Sequence, residues 1–279
     1  MIIQEQGDQL IVIRQTDHAI LSGFFAQECG NETIERPEPF ESFRLAAREH
    51  DNGWQEWELA PEIDPRTHLP YSFMSIPTEE HVALYQRGIE RVVKADRYAG
   101  LLVSMHCASL YDRARATLPG FSAKYVKSNE SHVANDFLQR LKLQQLRLKM
   151  DLRAHASTKG FVEEKVLERN AQILQAVDRL SLYFCLGSAA DASIEGVPCN
   201  REGGEVDWEL RWERNGASLS PYPFRRSPLA VSILARRVAK RVYGDAGDFQ
   251  RALARSRYFA LNFTLCGANA TDQTKSAVA

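Results

Sequence analysis

The sequence predicts a mainly α protein, a helical core with a short β-hairpin before it and a β-rich extension after it. Three observations carry that expectation. Apolar residues recur at three- and four-residue spacing from about residue 16 to Gly187. The runs "MIIQEQ" and "QLIVIRQ" flank Gly7-Asp8 at the N-terminus, as strands flank a turn. After residue 188 the period changes to two: "VDWELRW" alternates Val206, Trp208, Leu210 and Trp212 before Asn215-Gly216, a strong hairpin signal.

These signals divide the chain into a hairpin over 1–15, a helical core over 16–187, a β-rich extension over 188–267 and a small, polar, disordered tail over 268–279. The first helix is "DHAILSGFFAQEC", capped by Thr16 and ended by Gly30. The second, "PFESFRLAAREHD", starts at Pro39 and stops at Asn52-Gly53, which puts His50 and Asp51 in its last turn. A polar loop over about 58–76 precedes "TEEHVALYQRGIERVVKAD" and "YAGLLVSMHCASLYDRARATL". Ser131 is a cap for an amphipathic helix to about residue 155, and "FVEEKVLERNAQILQAVDRLSLYFCLG" is the last long one. "LAVSILA" and "YFALNFTLC" read as strands of the extension, which is free to pair with the N-terminal hairpin.

Composition narrows the function. A net charge of −1 lacks the basic excess of nucleic-acid binders. No apolar run approaches the ~20 residues of a membrane span, and "MIIQEQGDQLIVIRQ" lacks the basic start and apolar stretch of a signal peptide. Five cysteines without CxxC spacing suit a reducing compartment, so a cytoplasmic protein is expected. A homo-oligomer is left open.

The chemistry concentrates in histidines and aspartates on apolar helix faces. His18 shares a face with Leu21 and Phe25, and His50 with Phe43 and Ala47. His81 lies on a stripe with Tyr85, Gly88 and Val92, and His106 lies near Val103 and Leu110. Taken singly, a hydrogen-bonded core histidine is the commoner reading for His18, His81 and His106, and for His50 the two readings balance. Asp51 beside Ala47, and Asp178 within "QILQAVDRLSLYF", are costly to bury without a partner or a cation. Four inward histidines and two inward aspartates together fit one or two divalent cations, with zinc, iron or manganese as candidates. His68, in a loop, His132, beside a cap, and His155, at a basic helix end, are expected to be solvated and are excluded.

The order His18, His50-Asp51, His81, His106, Asp178 resembles the two-metal signature of the HD-domain superfamily over roughly residues 16–186. "QTDHA", "EHDNGW", "SMHCASLY" and "DRLSLYF" are also similar to an uncharacterised bacterial branch of unknown function. The resemblance implies an HD-like helical core and an enzyme. It implies one metal on His18, His50 and Asp178, a second on His81 and His106, and Asp51 bridging them as the candidate catalytic residue. Only His18, His50, Asp51 and Asp178 belong to the minimal signature.

Where several HD phosphohydrolases carry a phosphate-binding lysine, this chain has Trp54, which suggests a stacking or apolar wall. The function implied is a metal-dependent hydrolase of a small, anionic phosphoester, working through a metal-activated water. Trp54, Arg113 and Lys124 are the candidate substrate contacts, with Arg44 and Lys127 as further cations. A di-iron oxygenase of the myo-inositol oxygenase type and a non-catalytic metal-containing binding domain are the alternatives.

Overall fold

The computed structural model describes residues 1–111 and 131–268. The chain opens with β1 (Ile2–Gln6) and β2 (Gln9–Ile13), then α1 (Gln15–Glu28), α2 (Phe40–Glu49) and two short 3-10 turns, Asn52–Trp54 and Trp57–Leu59. Helices α3 (Thr78–Ala95), α4 (Arg97–Tyr111), α5 (Ser131–Arg153) and α6 (Glu164–Leu186) follow, the last preceded by a 3-10 turn at Lys159–Val162. The remainder comprises β3 (Ala192–Pro198), β4 (Glu205–Glu213), β5 (Gly216–Ser220), β6 (Leu229–Ala239), α7 (Ala246–Arg255) and β7 (Tyr258–Gly267). The expectation of a mainly α protein is therefore corrected to mixed α/β, with seven α-helices and seven strands among the described residues.

The strands form one sheet in the order β1-β2-β6-β7-β5-β4-β3, in which only β5 and β7 run parallel. Pairing of Leu10 with Val238 and Val12 with Arg236 joins the N-terminal hairpin to the late strands. The period-two reading holds in β4, where Trp208 and Leu210 are buried and Val206 and Trp212 partly buried between exposed neighbours. The hairpin expected at Asn215-Gly216 joins β4 to β5, with Glu213 opposite Gly216. Gly216 has φ +156°, and a Cβ there would sit 1.9 Å from the Thr264 carbonyl oxygen on β7, so only glycine fits.

Helix α7 lies within the stretch expected to be β-rich, where no helix was expected. Asp245 accepts from the Asp248 N–H as an N-cap, and Phe249 and Leu253 form its buried stripe. That signal was present in the sequence, but it is only ten residues long.

Helix α6 is the pillar of the helical layer and packs on α1, α2, α4 and β3. It is apolar on most sides because it is enclosed on most sides, with Ile173, Leu174, Val177, Leu180 and Phe184 at 0 % exposure. The Gln4 amide donates to the Cys185 carbonyl at 2.7 Å, so β1 satisfies part of the exposed end of α6.

At the start of α1 the sequence reading is corrected. The helix begins at Gln15, not after Thr16, and Arg14 at the cap position makes no side-chain cap bond. The buried Glu58 carboxylate accepts from the Gln15 N–H at 2.5 Å and from the Thr16 hydroxyl at 3.0 Å, so a distant residue caps the helix. The expected tail, beyond residue 268, lies outside the described residues.

Candidate metal centre

The local fold that delivers "HDNGW" depends on one close approach. Helix α2 ends with His50 still in helical conformation, and Asp51 (φ −109°, ψ 17°) turns the chain into the 3-10 turn Asn52–Trp54. That turn lies directly on α3. A Cβ on Gly53 would sit 2.0 Å from the Leu84 carbonyl oxygen, and one on Gly88 would sit 2.9 Å from the Gly53 nitrogen. Two glycines thus let backbone meet backbone, and Asp51 is carried against α3 and the start of α1.

Five of the six expected ligand residues converge. His18 from α1, His50 and Asp51 after α2, His106 from α4 and Asp178 from α6 are each between 1 and 6 % exposed. Two overlapping groups, His18-His50-Asp51 and His50-His106-Asp178, each offer ligand atoms within 4.8 Å of one another. His18 Nε2 lies 3.0 Å and His50 Nε2 3.2 Å from Asp178 Oδ1, and the two nitrogens are 3.2 Å apart. Asp51 Oδ2 is 3.6 Å from His18 Nε2 and 3.7 Å from His50 Nε2. His106 Nε2 stands 3.9 Å from Asp178 Oδ2, while its buried Nδ1 has no hydrogen-bond partner.

The outer hydrogen bonds fix the proton on His50 and orient the ring of His18. His50 Nδ1 is 2.8 Å from the Ala47 carbonyl, which can only accept, so Nδ1 carries hydrogen. The Ser181 hydroxyl lies 2.7 Å from the Asp178 carbonyl and 2.6 Å from His18 Nδ1, and when it donates to the carbonyl it accepts from Nδ1–H. Ser22 adds a second hydroxyl, 2.8 Å from Ser181. In the neutral rings both Nε2 lone pairs therefore point inward, at each other and at a carboxylate oxygen. Three acceptors facing one another in a dry interior repel unless something positive lies among them.

Electrostatics follow the same logic. Burial opposes a charge on His50, but Asp51 and hydrogen bonding to Asp178 outweigh it and raise its pKa to about 9. Burial would push the Asp178 carboxyl up, yet its hydrogen bonds to His18 and His50 hold it well below the usual carboxylate range. Burial lowers His106 to about 4, which leaves it neutral and suited to donate a lone pair.

Asp51 has its own support. The Tyr85 hydroxyl donates to Oδ1 at 2.7 Å and the Gln15 amide donates to Oδ2 at 3.1 Å. Sequence reasoning placed Tyr85 only on an apolar stripe and did not single out Gln15. A buried glutamine at the first position of α1 (2 % exposed) was the only hint, and burial is invisible in sequence.

His81 belongs to neither group of ligand atoms. Its Nδ1 bonds the Tyr111 hydroxyl, and its ring packs 4.5 Å from the Tyr85 ring, centroid to centroid. The structure thus sets it beside the residue that holds Asp51. Burial, with a contribution from the N-terminal amine, lowers His81 to about 3. Trp54 is 1 % exposed, edge-on to Trp57 and 5.9 Å from the His81 ring.

Arg113, Lys124 and Lys127 lie outside the described residues, and Arg44 pairs with Glu41 on the surface of α2. His68, His132 and His155 are exposed, as expected. None of the described cysteines is paired, and no described helix is long and apolar enough to cross a membrane.

Neither the curated proteins nor the solved structures contain a match to this chain. Residues 1–240, a span that takes in every one of these histidines and aspartates, match the family described as "Protein of unknown function (DUF3891)", and the chain belongs to that family.

Proposed function

We propose that this protein is a metal-dependent hydrolase of the HD type, acting on a phosphoester through an activated water. The observation that carries the metal reading is the inward pair of Nε2 lone pairs on His18 and His50 against Asp178 Oδ1, fixed by outward Nδ1–H bonds to Ser181 and Ala47. Such outer bonds are the usual means of orienting a histidine toward a metal. The donor set of neutral imidazoles and carboxylates suits zinc, iron or manganese. The phosphoester part rests on the resemblance of His18, His50-Asp51 and Asp178 to the minimal HD signature.

The arrangement favours one cation. Both ligand groups run through His50, whose Nδ1 is committed to Ala47, so its single remaining lone pair serves one metal. A divalent cation held there would lower the pKa of its water and offset negative charge on the attacked phosphoryl group. The chain supplies the rest. Tyr85 and Gln15 fix Asp51, and its Oδ2 faces the Nε2 pair, placed to accept the proton of the attacking water. His106 stays neutral beside Asp178, and the surrounding burial excludes bulk solvent.

Elemental analysis of protein purified from iron-replete cells, paired with turnover of an aryl phosphate, tests this reading. One cation per chain, with hydrolysis lost in Asp51→Ala, is the expected result. Two irons with a mixed-valence signal would replace it by the oxygenase, and metal without turnover by a binding domain. A metal-free protein would overturn it.

A further inference from the structure

The five converging residues are nearly sealed from solvent. A cavity of about 1310 Å³ lies between α4, α5, α6 and β3. It adjoins the cluster at two points, through the neighbours of Asp178 and His106, and touches the partner of His81 at a third. Arg179 follows Asp178 on α6; Ser109 lines the cavity and donates to the His106 carbonyl at 2.6 Å; Tyr111 lines it and bonds His81.

Arg179 is the anomaly on that wall. Its Nε and Nη2 are buried and have no hydrogen-bond partner. Buried donors of a charged group without acceptors are costly and rarely left so. Nε and Nη2 form the side-on edge of a guanidinium, which matches two oxygens of one anion. At Arg14 and Arg226 the same edge is filled: Arg14 grips Asp17 at 2.8 and 2.8 Å, and Arg226 grips Glu28 at 2.9 and 2.6 Å, whereas Arg169 and Arg236 each leave Nε alone unpartnered. No carboxylate among the described residues takes that place at Arg179. The carboxylates that act on it electrostatically, Asp178 and Glu195, make no ion pair with it.

We propose that Arg179 is the anion anchor of a substrate cavity beside the metal centre, and that the ligand is a small molecule ending in a phosphate or carboxylate. Glu164, Glu168, Glu195 and Glu205 share the lining with Lys142 and Lys149, so the wall carries no positive excess. Recognition is therefore local and directional at one guanidinium, which suits a single anionic end and not a polyanion. This deepens the hydrolase reading and rests on it for the word substrate, but the binding itself does not require metal.

Calorimetric titration of the full chain with inorganic phosphate and, separately, with acetate tests the proposal. Phosphate or acetate should bind saturably, the one preferred naming the source of the anion. Affinity should fall about tenfold or more in Arg179→Met, as expected for loss of a bidentate charged pair. Arg179→Lys should recover only part of it. Binding lost in Asp51→Ala but kept in Arg179→Met would place the anion on the metal and overturn the proposal, as would no binding of either anion. Retained Arg179-dependent binding in a protein without metal would sink the hydrolase reading and leave the anion site standing.

Discussion

His18 and His50 meet through Nε2 atoms 3.2 Å apart, each with its other ring nitrogen tied outward. The pair needs a positive charge between it and Asp178. In chelator-stripped protein His50 supplies that charge, since its pKa is raised from 6.5 to about 9. A pKa raised by folding stabilises the native state fully below the unfolded value and loses that contribution as pH rises through the folded one. The melting temperature of stripped protein should therefore fall between pH 6.5 and 9, whereas the cation-loaded protein should not show that step. A flat profile in stripped protein would remove His50 as the charge carrier.

Asp51 depends on Tyr85, whose hydroxyl reaches Oδ1 at 2.7 Å. Removing an outer partner of this kind typically costs about 10- to 100-fold in metal affinity. Tyr85→Phe should show that loss in competition with a chromogenic chelator, with the circular dichroism spectrum unchanged. Unaltered affinity would mean that Asp51 does not bear on the cation.

His50 and His81 should behave differently. With one lone pair of His50 shared by both ligand groups, the expected stoichiometry is one cation per chain. His50→Ala should abolish retention after gel filtration, while His81→Gln should keep it. Loss of half of a two-metal content in His81→Gln would restore the dinuclear arrangement.

Gly53 has no room for a side chain, since a Cβ would lie 2.0 Å from the Leu84 carbonyl oxygen. Gly53→Ala must push the 3-10 turn off α3, at roughly 3 kcal/mol, the upper range for overpacking. Chemical denaturation should show that cost, and metal retention should weaken with it because His50 and Asp51 sit on the displaced segment. Parent-like stability would show that the turn yields easily.

Much of the architecture was written in local pattern. Residues 206–212 alternate as a strand with one buried face, and the density of apolar residues in α6 marks an enclosed helix. Helix α7 was missed because ten residues between two strands give a weak periodic signal, although Asp245 and the Phe249–Leu253 spacing marked it. The start of α1 was misplaced because its cap comes from Glu58, and no local rule reaches 43 residues away.

The side chains able to hold a cation, and their inward faces, followed from sequence alone, because helical spacing determines which residues share an apolar face. Their grouping did not. That five of the six converge while His81 turns to Tyr111, that Gln15 and Tyr85 hold Asp51, and that Arg179 stands with an empty edge beside a cavity were decided by how five helices cross. Spacing along one helix sets a direction, but the distance between two helices is set by packing, and coordination is a matter of distance.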